Sequence, residues 1–85
     1  MKIPTIHLNG TAKQDLMDAL SDAYFAIGEA QRKLSETAPN GRDYYPQGSE
    51  AIYTATEEHR ARWQKLEDVR QELDQMRDAI DREDR

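Results

Sequence analysis

Apolar residues recur at helical spacing in two long stretches of this chain. In the first, Leu16, Leu20, Ala23, Ile27, Ala30 and Leu34 follow one another in alternating steps of four and three, with Ala19 and Tyr24 beside them. Such steps keep one stripe of a helix apolar along its length. They predict a helix over 11–38 whose first helical residue is Ala12. Thr11 and Gln14 read as a capping box, the hydroxyl accepting from the Gln14 N–H and the amide reaching back. Asp15 in the first turn suits the helix dipole. Gly28 weakens the interior by about 1 kcal/mol relative to alanine, or marks a close helix approach. Pro39 ends the helix, because it disfavours helical geometry at Ala38 and has no N–H.

The second stretch has a seven-residue repeat. Ile52, His59, Leu66, Leu73 and Ile80 hold one seam position, Ala55, Arg62, Val69 and Met76 the companion position, and Trp63 lies at the flank. A helix over 49–82 follows, with Ser49 as N-cap and Arg82 to Arg85 fraying. Glu58 with Arg62, and Asp78 with Arg82, stand at the supporting i,i+4 spacing. Residues 39–48 form the loop, with Asn40-Gly41 as a turn signal. Residues 1–10, with Ile3, Ile6 and Leu8 around Pro4, read as an extended arm.

The expected fold is therefore all-α: one domain, an antiparallel two-helix hairpin with a short extended N-terminal arm. One hairpin has a single seam and leaves Phe25, Tyr53 and Trp63 short of cover. Assembly into a helical-bundle homo-oligomer is the expected remedy.

Composition narrows the chemistry. The 85 residues include no cysteine and two histidines, so disulfides, thiol catalysis and cysteine–zinc sites are excluded. Twelve Lys and Arg stand against 17 Asp and Glu, a net charge of -5. Residues 1–42 are neutral and 43–85 carry the whole excess, which opposes general nucleic-acid binding. No apolar run approaches a membrane span and no secretory leader is visible, so a cytoplasmic location is expected.

Three groups of residues are candidates for binding. His7, Asn9, Gly10 and Thr11 precede the first helix, where free N–H groups can receive an anion; equally, they are a turn and a cap. The loop places Arg42, Asp43, Tyr44 and Tyr45 together. Tyrosine faces can stack on a base and arginine can clamp a phosphate. The alternative is that the tyrosines plug the end of the bundle while Arg42 pairs with Asp43. His59, Arg60 and Arg62 make a small basic cluster where the second seam turns polar. That cluster either contacts a phosphate or sets register and partner choice. By helix rise the first two groups lie roughly 40 Å apart in one chain, so a site using both would be shared between subunits. No catalytic triad, phosphate-binding glycine loop or metal-ligand spacing is found. No cofactor or metal is expected, and binding without catalysis is the expected mode.

Taken together, His7-Leu8-Asn9-Gly10-Thr11, Gly41-Arg42-Asp43-Tyr44-Tyr45-Pro46 and Glu58-His59 with Arg62 resemble a group of small proteins from tailed bacteriophages, over about residues 4–76. The chain is similar in kind, rather than by alignment, to phage counter-defence sponges. Those are small oligomers that hold nucleotide immune signals, such as cyclic oligonucleotides or ADP-ribose derivatives. The resemblance implies a sequestering protein of the host bacterial cytoplasm, with a nucleotide ligand and its own copies as partners. An inhibitor that docks a protein or mimics DNA through the acidic face of the second helix is the alternative, and a virion assembly protein a weaker one.

Overall fold

The computed structural model describes residues 1–83. Two long helices, α1 (Lys13–Ser35) and α3 (Ala51–Asp81), pack along each other. Between them lie a single turn of helix, α2 (Gly41–Tyr44), and a 3-10 turn (Tyr45–Gln47). No strand occurs among the described residues. The molecule is a rod of 61 × 20 × 17 Å.

The buried cluster sits at the end where α1 begins and α3 finishes. Met17, Leu20 and Ile80 are its centre, and Ile3, Ile6, Leu16, Leu73 and Met76 pack around them. The arm therefore lies against the far half of α3, as expected from an antiparallel hairpin. Lys13 ties this end together by donating to the carbonyls of Asp81 and Glu83, both at 3.1 Å. An ammonium there meets the negative end of the α3 dipole. Of the stretch expected to fray, Arg82 is held to Asp78 by its backbone N–H and its guanidinium, and the Glu83 N–H donates to the Ile80 carbonyl. Asp84 and Arg85 lie outside the described residues.

Several helix ends differ from expectation. α1 starts at Lys13, and its N-cap is Ala12, in extended geometry with no side-chain bond. Thr11 is one residue too early to cap, and Gln14 turns outward to Asp18. The helix stops at Ser35, where the N–H groups of Thr37 and Ala38 reach back three residues instead of four. That tightening ends α geometry before Pro39 acts. Ser49 caps nothing. The turn at Gly48, at φ 103°, precedes α3, whose N-cap position is Glu50. The residues expected as a plain loop contain α2, because Asn40 caps it: its Oδ1 accepts from the Asp43 N–H at 3.0 Å and its Nδ2 donates to the Asp43 carboxylate at 2.8 Å.

The seam itself is rotated from the expected one. On α3, Thr56, Trp63, Arg70 and Arg77 are partly buried, whereas Arg62 and Val69 are exposed. In the two middle heptads the companion position therefore falls one residue later, at Trp63 and Arg70, whereas Ala55 and Met76 at the ends are buried or packed in the core as expected. On α1, Gln31 is buried at 4% exposure, while Ala19 and Ala30 face outward. A polar network explains the rotation. Gln31 donates to Glu67 at 3.0 Å and accepts from Arg70 at 2.9 Å, and Gln71 donates to Glu67 at 2.7 Å. The Arg70 guanidinium lies 4.1 Å from the centroid of the Tyr24 ring, a cation–π contact. Gly28 lies beside the same guanidinium. A Cβ there would be 3.8 Å from its carbon, an ordinary contact, so no close helix approach demands the glycine.

Candidate functional site

The loop end of the rod carries a cleft of about 580 Å³. Gly41, Tyr44, Tyr45 and Pro46 line it from the connection, and Gly48, Ser49 and Ile52 from the start of α3. The local fold explains its shape. Asn40 starts α2, Pro46 fits the first turn of the 3-10 segment, and Gly48 reverses the chain at a φ that favours glycine. Tyr44 is thereby half-buried and Tyr45 stands out at 84% exposure. Nothing lies within 4 Å of where a Cβ on Gly41 or Gly48 would be, so both glycines leave open space beside the tyrosines.

Arg42 has no hydrogen-bond or ion-pair partner among the described residues. The Arg42–Asp43 pair of the alternative reading is not formed, because Asp43 is taken by Asn40. Of the four loop candidates, Tyr44 and Tyr45 share the cleft, Arg42 follows Gly41 of its lining in the chain but is not itself part of the lining, and Asp43 belongs to the cap.

The arm motif lies at the other end of the rod. The Gly10 N–H donates to the His7 carbonyl at 3.1 Å, closing a turn. A Cβ on Gly10 would come within 2.7 Å of His7 Nε2, so the glycine makes room for the imidazole. Asn9 and Thr11 are exposed. One chain thus does not bring His7, Asn9, Gly10 and Thr11 to the tyrosines.

The third group does not converge either. His59 is half-buried in the seam, Arg60 is exposed and bound to Glu57 at 2.7 Å, and Arg62 is exposed. Arg60 and Arg62 stand about 200° apart around the helix, since each residue advances about 100°. The expected Glu58–Arg62 pair is not among the ion pairs of the described residues, whereas Asp78–Arg82 is formed.

Sequence reasoning missed the Gln31–Glu67–Arg70 network. Its signal was present: Gln31 continues the spacing of Leu20, Tyr24 and Ile27, and Arg70 and Arg77 follow Trp63 at intervals of seven. The network holds the Glu67 carboxyl below the usual range, first through the Gln31 amide, then through Gln71 and the charge of Arg70. A carboxylate depressed in the folded state stabilises fully above its unfolded pKa, and that share is lost as pH falls through the folded value. Wild type is therefore expected to lose more of its urea midpoint between about pH 7 and about pH 3 than Glu67→Gln does. Equal losses would refute the link. Glu29 and Asp78, held low by Arg32 and Arg82, are exposed pairs and add little to this.

Beside the network, a smaller groove of about 250 Å³ is bordered by Tyr24, Phe25, Asp74 and Arg77. The Phe25 ring meets Tyr24 edge-on at 5.4 Å and is otherwise 70% exposed. Among the described residues no group of His, Cys, Asp or Glu is placed to hold a metal ion, and no helix is long and apolar enough to cross a membrane. No family model matches the chain, and no curated protein or solved structure is significantly similar to it.

Proposed function

We propose that this chain is a non-catalytic binding protein that takes a nucleotide-type ligand at its tyrosine cleft and holds it. The observation that carries the reading is an open cleft lined by Tyr44 and Tyr45, with Arg42, adjacent in the chain to Gly41 of its lining, unpaired among the described residues. A base stacks on Tyr45 or Tyr44, and a phosphate meets the free Arg42 guanidinium. Compared with the expectation from sequence, the site contracts to the loop end. His7, Asn9, Gly10 and Thr11 join it only through another subunit, and His59, Arg60 and Arg62 are left out. Sequestration of a nucleotide immune signal during phage infection is the role the resemblance adds to this chemistry.

Native mass spectrometry tests it, on protein purified from bacteria and then offered cyclic oligonucleotides and ADP-ribose derivatives. Uptake in a fixed ratio is expected, and titration calorimetry should show at least a roughly fivefold weaker affinity for Tyr45→Ala, since stacking one base is worth about 1–3 kcal/mol, and a comparable loss for Arg42→Ala, which removes a charge-assisted phosphate contact. No uptake from the panel, or uptake indifferent to both substitutions, overturns the proposal. A partner bound through acidic surface would instead be lost on neutralising Asp74 and fade with salt. Glu67 is unsuited to that comparison, because it belongs to the buried network.

A further inference from the structure

The chain has two asparagines, Asn9 and Asn40, and glycine follows each of them. Asparagine is chemically labile. The backbone nitrogen of the residue after it can attack the side-chain amide carbon, and a glycine, with no Cβ, leaves that approach open. Both asparagines are exposed, so access to water does not separate them. Their hydrogen bonds do.

Asn40 is held at both ends of its amide. Its Oδ1 accepts from the Asp43 N–H at 3.0 Å, and its Nδ2 donates to the Asp43 carboxylate at 2.8 Å. Its backbone is extended, with ψ 154°, and Gly41 is the first residue of α2. To bring the Gly41 nitrogen onto the Asn40 side chain, the peptide unit between them must rotate. Both side-chain bonds and the start of α2 are lost before any reaction begins.

Asn9 has no such hold. Its side chain makes no hydrogen bond among the described residues. It sits in an exposed turn closed by one backbone bond, from the Gly10 N–H to the His7 carbonyl at 3.1 Å. Opening that turn frees the Gly10 nitrogen and disturbs no helix, since α1 begins only at Lys13.

We infer that Asn9 is a site of spontaneous deamidation in the folded protein, and that its cap protects Asn40 from the same reaction. The Gly10 nitrogen gives its proton to a solvent base and bonds to the Asn9 Cγ. The bond from Cγ to Nδ2 breaks, and that nitrogen takes up a proton and leaves as ammonia. Water opens the resulting cyclic imide at either carbonyl, yielding aspartate or isoaspartate. Either product puts a negative charge on the arm turn, and isoaspartate also lengthens the backbone between His7 and Gly10. The reaction is independent of the ligand reading, since it needs only Asn9, Gly10 and water.

Peptide mapping by mass spectrometry tests it, on the full chain held in warm, mildly alkaline buffer. Trypsin places the two asparagines in separate peptides, residues 3–13 and 34–42. In the folded protein the Asn9 peptide should exchange amide for carboxylate at least about fivefold faster than the Asn40 peptide, because more hydrogen bonds must break at Asn40. In guanidinium chloride the two rates should converge. Asp43→Ala, with its helical circular dichroism retained, should speed the reaction of Asn40 at least about twofold and leave Asn9 unchanged. No conversion of Asn9, equal rates in the folded protein, or a ratio that guanidinium leaves unchanged overturns the inference. So does an Asn40 that stays as slow in folded Asp43→Ala.

Discussion

Ile80→Ala is expected to lower the unfolding free energy by about 3 kcal/mol, the usual range for a buried isoleucine being about 2–5. Ile80 is the one fully enclosed large side chain among the described residues, at 0% exposure. It closes the cluster of Met17 and Leu20, against which the arm residues Ile3 and Ile6 pack. Alanine removes the apolar surface and leaves a cavity that several independent elements would have to move to fill. A chain of this length has roughly 4–13 kcal/mol in total, so the loss is a large share. Leu8→Ala is the matched control. Leu8 is 98% exposed, and its truncation should shift stability by less than about 0.5 kcal/mol. Urea unfolding at one fixed protein concentration reads both. A shift below about 1 kcal/mol for Ile80→Ala would mean that the cluster is not the core.

Most of that cluster was legible in the sequence, though Met17, buried at its centre, lay off the predicted stripe. Leu16, Leu20, Leu73, Met76 and Ile80 all stand on the predicted stripes, and the antiparallel hairpin follows from two such stripes and a short connection. The rotation of the seam was not legible from apolar residues alone. Counting only hydrophobic positions selects Ala19, Ala30 and Val69, which face outward, and passes over Gln31 and Arg70, which face in. Those two are held inside by hydrogen bonds to each other and to Glu67, and hydropathy carries no record of a satisfied polar pair.

The candidate site divides in the same way. The tyrosine loop stood out because aromatic residues are unusual in a mere connection, and the structure does gather Tyr44 and Tyr45 at one cleft. The short helix that positions them was also readable, since Asn40 followed by Asp43 is a capping pattern; the turn signal of Asn40-Gly41 hid it. Thr11 and Gln14 misled in the opposite direction, because a capping pattern is only a possibility until the backbone enters the helix at the right residue. Arg60 and Arg62 were grouped by nearness in sequence, whereas the helix separates residues two apart to opposite faces.

Gln31→Leu tests the rotated seam most directly, because hydropathy and hydrogen bonding predict opposite signs. A stripe read from apolar residues alone gains a leucine at a buried position and should become more stable. The bonding pattern predicts a loss of about 2 kcal/mol, since the Gln31 amide donates to Glu67 and accepts from Arg70, and leaving buried polar partners unmatched costs about 1–3 kcal/mol. Arg70 is already short of one partner, its Nε being buried without an acceptor. Removing the arginine as well should relieve the fault. Gln31→Leu combined with Arg70→Met replaces both ends of one hydrogen bond by apolar groups, an exchange that is often neutral or stabilising. The double variant is therefore expected to be more stable than Gln31→Leu alone, with a coupling energy of at least about 1 kcal/mol in the double-mutant cycle. Urea unfolding of all four proteins at one concentration measures it. Additive losses would mean that the two side chains act independently, and a stabilised Gln31→Leu would restore the purely apolar seam.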